Sequence, residues 1–88
     1  MDGHSVISPE VLARYAADAA AEVPGVHTKQ RRGARVSGSV VDVHVVLDYG
    51  ANIPDVAAEV QRRVSVYLGK MADVKPTAVN VIVDDVQR

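Results

Sequence analysis

YGANIPDVAAEVQRRVSVYLGKMADVKPTAVNVIV, residues 49–83, is the stretch that decides the fold. Tyr49-Gly50-Ala51-Asn52 breaks an extended run, and Pro54 then opens a helix. Proline suits a first helical turn, where its missing N–H has no partner to lose. Ile53, Val56, Ala57, Val60, Val64, Tyr67, Leu68 and Met71 recur at helical spacing and predict the buried stripe. Asp55, Glu59, Arg62, Arg63 and Lys70 fall on the water side, with Glu59 four residues ahead of Arg63, a spacing that favours pairing. Residues 72–76 read as an exit loop. Residues 77–84 read as a closing strand with Val79, Val81 and Val83 on one face.

Upstream lies the strongest strand signal, residues 40–49. Val41, Val43, Val45, Leu47 and Tyr49 alternate with Asp42, His44 and Asp48. Strict alternation implies one covered face and one wetter face. Residues 26–29 read as a short strand, Arg31-Arg32-Gly33 as a turn, residues 34–37 as a further extended segment and Gly38-Ser39 as a second turn or bulge. At the start, Ser8-Pro9-Glu10 predicts a cap and first turn for a helix over residues 9–22, stopped by Pro24-Gly25. Leu12, Tyr15, Ala16, Ala19, Ala20 and Val23 give it one apolar stripe, and Glu10, Arg14 and Asp18 stand four apart on the opposite face. Two helices with one stripe each, and a strand with one apolar face, predict an α+β fold of two layers. Both helices pack on one face of a small mixed sheet of three to four strands. A leading strand at residues 4–7 would complete a split βαβ plait.

Eighty-eight residues make a single domain, with its core over about residues 5–86. A chain of this length hides only about 60–65% of its unfolded surface, so its stability margin is modest. Apolar residues are 48% of the chain, yet Phe and Trp are absent and the only aromatics are three tyrosines, so Val, Ala, Ile and Leu fill the core. The net charge is −1 with acids and bases evenly spread, which argues against a whole-molecule field that steers nucleic acid. With no cysteine, disulfides and thiolate chemistry are excluded, which fits a reducing cytoplasm. The first ten residues lack the basic and apolar regions of a signal peptide, and no apolar run approaches the roughly 18 residues of a membrane span.

Candidate chemistry is sparse. Lys29, Arg31, Arg32 and Arg35 form the one concentrated basic patch, suited to phosphates of nucleic acid or anionic headgroups. The plainer reading is a solvated hairpin whose charges protect a sheet edge. Without Phe or Trp to stack bases, sequence-specific nucleic-acid binding is disfavoured. Asp42, His44 and Asp48 project from one face of the long strand and have the donor types for a divalent metal. Strand neighbours two apart are separated by about 7 Å, so a metal site would need further ligands from another strand, and a polar outer sheet face is the simpler reading. Asp84 and Asp85 are adjacent on a strand and are expected to point to opposite faces, which bars a shared proton. The serines have no nucleophile elbow and the six glycines are scattered, so no catalytic, cofactor or metal residue is assigned. Val66 stands outside the helical stripe, and Val40 and Val46 lie on the wetter side of the strand, a pattern that would suit a covering partner.

The wording of two segments resembles the bacterial alkaline shock protein family, also called the envelope stress response or YloU-like family. One is Ile7-Ser8-Pro9-Glu10-Val11 with Ala19-Ala20-Ala21-Glu22-Val23-Pro24-Gly25-Val26. The other is Val43 to Val83, especially Tyr49-Gly50, Ile53-Pro54-Asp55-Val56-Ala57 and Val79-Asn80-Val81. Together with the linking strands they span nearly the whole chain. The resemblance implies a cytoplasmic, non-enzymatic protein tied to cell-envelope or alkaline stress. It implies self-association into a homo-oligomer, docking to a small membrane-anchor protein at the inner face of the membrane, and no cofactor. One departure is Met71-Ala72-Asp73-Val74, where the family usually has threonine-glycine after the second helix. The alternative to this reading is a small nucleic-acid-binding module using Lys29, Arg31, Arg32 and Arg35.

Overall fold

The computed structural model describes residues 7–28 and 33–88. Its elements in chain order are α1 (Pro9–Ala21), β1 (Val26–His27), β2 (Ala34–Ser37), β3 (Val40–Asp48), α2 (Ile53–Ala72) and β4 (Ala78–Gln87). The Ser8 hydroxyl accepts the Val11 N–H at 3.3 Å and caps α1, and the Asn52 side chain accepts the Asp55 N–H at 3.1 Å and caps α2. Each cap satisfies one of the N–H groups that a helix start leaves without a partner.

β3 is the centre of the sheet. β4 runs parallel along its full length, from Val40 opposite Ala78 to Asp48 opposite Gln87. β1 and β2 both pair antiparallel with β3, at its far and near ends respectively, so they share its second edge. From Val26 to Ala34 this edge advances eight positions while its partner on β3 moves only four, from Leu47 to Val43. β1 and β2 therefore meet β3 out of continuous register. β2 and β3 are joined by Gly38-Ser39, with Gly38 at φ +60°, the left-handed first position that a tight hairpin of this length requires.

The helices cover one face. α1 packs on β1, β2 and β3, α2 packs on β4, and the helices touch each other. Val41, Val43, Val45 and Leu47 point into this layer and meet Leu12, Ala16 and Ala20 of α1 and Val60, Val64 and Leu68 of α2 in one cluster. Tyr15 and Tyr67 close the helix–helix seam edge to face, centroids 5.9 Å apart. The alanines of α1 let the helix approach closely, which is how a core without Phe or Trp is filled. The fold is therefore the expected α+β architecture, two helices on one face of a mixed sheet.

Several local expectations need correction. Tyr49 does not line the inner face: β3 ends at Asp48, and Tyr49 is 66% exposed with the Arg88 guanidinium 4.6 Å above its ring. Ile53 and Met71, placed in the buried stripe of α2, are exposed, because the stripe narrows to Val60, Val64 and Leu68 where the helix lies over the sheet. β1 stops at His27, two residues early. β4 continues three residues beyond Asp84. The proposed leading strand falls largely outside the described residues; Ile7 is described, is not in a strand, and packs against the core.

Asp73 follows α2 in the left-handed conformation, φ 53°, where its N–H reaches the Leu68 carbonyl. This is the helix end at which glycine is favoured, since a Cβ there crowds the backbone. Asp73→Gly is expected to raise stability by about 0.5–1 kcal/mol. A higher urea midpoint at unchanged slope would register it.

Candidate functional site

No described element crosses the sheet face opposite the helices, so the pairing registers define a surface grid. Its first row is Ser37, Val40 and Ala78, and its second is Arg35, Asp42 and Asn80. Then come His44 beside Ile82, and His27, Val46 and Asp85, with Asp48 beside Gln87 at the end. The register slips between Val45 and Val46, where β4 advances from Val83 directly to Asp85. Asp84 is the extra residue of this β-bulge.

The bulge overturns the expectation that Asp84 and Asp85 occupy opposite faces. Asp85 is in register with Val46 on the outer face, and Asp84 on the same side holds His44, with Nδ1 to Oδ1 at 3.1 Å. Simple alternation fails at a bulge because two residues answer one.

The three side chains considered as metal donors share the outer face, as their alternation requires, but they do not converge. The Asn80 amide donates to Asp42 at 2.9 Å, His44 is engaged with Asp84, and His27 Nε2 lies 2.9 Å from Asp48 Oδ1. Each rung ties β3 to a neighbouring strand. The His27 imidazole, with help from the Gln87 amide, holds the Asp48 carboxyl below the usual carboxylate range against a weaker opposing effect of desolvation. Among the described residues no group of three or more His, Cys, Asp or Glu side chains is placed to hold a metal ion.

Of the basic patch, Lys29, Arg31 and Arg32 lie outside the described residues. Arg35 is exposed on β2, directly opposite Asp42, and the carboxylates of the same face disfavour a polyanion there.

The other exposed surface is the outer side of α2. Glu59 holds both Arg62, at 2.6 Å, and Arg63, at 2.8 Å. The i,i+4 spacing points to the second of these contacts; the first uses the i,i+3 spacing. An open groove of about 250 Å³ is lined by Glu22, Arg62, Arg63, Val66, Tyr67 and Lys70. Val66 is exposed there, as its position outside the stripe implied. Among the described residues, the expected Glu10–Arg14–Asp18 ladder on α1 forms no ion pair.

The Arg62 and Arg63 guanidiniums hold the Glu59 carboxyl down at about 2, from an ordinary 4.5. A carboxyl depressed in the folded state stabilises the fold above its unfolded value, and that contribution fades as pH falls through the folded one. Glu59→Gln is therefore expected to flatten the fall in stability between about pH 4.5 and about pH 2, while a small stability loss appears at neutral pH. Thermal melts across that range would check the sign.

Comparison with known proteins gave a match to the family model of alkaline shock protein 23, described as having cell envelope-related function, over residues 33–88. Those residues run from the start of β2 through β4 and include most of the outer face. A relative from Streptococcus pyogenes serotype M6, named uncharacterized protein Spy1535, is 31% identical, with 96% of this chain and 79% of the relative aligned. No solved structure matched.

Proposed function

Because the chain belongs to the alkaline shock protein 23 family, of cell envelope-related function, we propose that it is a non-enzymatic interaction protein of the envelope stress response. In this reading it works in the cytoplasm by self-association and by docking on a membrane-anchored partner. The observation that supports docking most is the outer sheet face. A two-layer fold normally covers the apolar side chains of its sheet, yet Val40, Val46 and Ile82 lie on the side away from both helices. Exposed Val66 and Met71 on α2 offer further apolar surface for contact between copies. No helix among the described residues is long and apolar enough to cross a membrane.

Sedimentation velocity over a concentration series tests self-association. A mean mass that rises with concentration is expected, and a monomer throughout would overturn that part. Deletion of the gene is expected to lower tolerance of envelope stress, and unchanged tolerance would overturn the cellular role.

A further inference from the structure

We propose that the outer sheet face, which no described element crosses, receives a cationic, aliphatic-studded segment of a partner protein, laid across the strands rather than added to an edge. The inference rests on the docking reading above and names the surface and the chemistry of the partner.

Charge selects the occupant. The outer face carries the carboxylates of Asp42, Asp48, Asp84 and Asp85 and, among its described residues, a single arginine, Arg35. Val40, Val46 and Ile82 are interspersed among them and only half-buried. Asp42, Asp48 and Asp84 are already oriented by Asn80, His27 and His44. A carboxylate has about four lone-pair sites, so each can still accept a lysine or arginine donor. Aliphatic side chains of the same segment would cover the valines and Ile82, whose burial supplies the non-directional part of the affinity.

A second copy of the chain fits less well. Stacking two outer faces would oppose carboxylate to carboxylate. Two of the three cations on α2, Arg62 and Arg63, are already engaged by Glu59. Strand addition is discouraged on both sides of the sheet. The β1–β2 edge is not in continuous register, and the Asp84 bulge and the Gln61 amide, which donates to the Val79 carbonyl at 3.1 Å, blunt the β4 edge.

The test uses the full chain and two synthetic amphipathic 18-residue peptides of leucine with either lysine or glutamate. Backbone amide shifts would map the contact, and fluorescence polarisation at low and physiological salt would give affinities. The lysine peptide is expected to bind with shifts centred on β3 and β4, and the glutamate peptide not to bind. Asp84→Asn with Asp85→Asn is expected to weaken binding about tenfold, the effect of losing two exposed charge contacts. Since Asp84 also holds His44, Val46→Ser and Asp85→Asn alone serve as second variants, each expected to weaken binding with the urea midpoint little changed. Lys70→Glu on α2 should leave binding intact or slightly stronger. Absence of lysine-peptide binding, equal binding of both peptides, or shifts confined to α2 would each overturn the proposal. So would loss of self-association in the Asp84/Asp85 variant, which would assign the face to a second copy. Self-association and a stress phenotype without peptide binding would defeat this inference alone; peptide binding without either would defeat the broader function.

Discussion

Val43→Asp is expected to abolish folding. Val43 is fully buried at the centre of β3, flanked by Ala34 of β2 and Val81 of β4 and roofed by the helices. The surrounding cluster is aliphatic, and among the described residues it offers a carboxylate no cation. An unpaired buried charge costs several kcal/mol even after the group shifts toward its neutral form. A domain of this size has a total stability on the order of 5–10 kcal/mol. The loss is therefore comparable to the whole margin. His44→Asp, one residue along and on the outer face, gives the control: it forfeits the rung to Asp84 but buries no charge, and the fold should persist. Far-UV circular dichroism and urea titration would separate the two. A cooperative transition of near-native midpoint in Val43→Asp would contradict the assignment of this face to the core.

Leu68→Ala is expected to cost about 2–5 kcal/mol. Leu68 is one of the two largest fully buried side chains, with Leu47, and its carbonyl also accepts the N–H groups of Asp73 and Val74 at the end of α2. Truncation removes apolar contacts and leaves a cavity. Apart from Leu47, the other fully buried core members are Val and Ala, too short to fill it. The fall in urea midpoint should exceed that of Met71→Ala, since Met71 is 49% exposed. Similar losses in the two variants would mean that the helix is rotated from the orientation described.

Much of this architecture was legible in the chain. Ser8-Pro9 and Pro54 marked both helix starts, because capping and proline tolerance are local properties, whereas the Asn52 cap was read only as part of a strand break. The alternation of Val41, Val43, Val45 and Leu47 assigned the inner face of β3 correctly. Tyr49, Ile53 and Met71 were misplaced for one reason: periodicity says which residues share a face, but not how far along an element a neighbour covers it. The outer face was also partly legible, since Asp42, His44 and Asp48 had to share it. Their actual partners, Asn80, Asp84 and His27, lie 21–40 residues away in sequence, beyond the reach of any local pattern.

Local patterns along the chain suffice for the two-layer α+β plan, the inner and outer sides of the central strand, and a wording characteristic of the alkaline shock protein family. These follow from local propensity, side-chain period and motif, all written in neighbouring residues. Pairing across the sheet decided that β4 lies parallel to β3 with a bulge at Asp84, that β1 and β2 share one edge of β3, and that four carboxylates gather on a face no described element crosses. Register is a property of paired strands, and a one-residue slip changes which side chains stand together. Until the strands are paired, the face that a partner would meet does not exist.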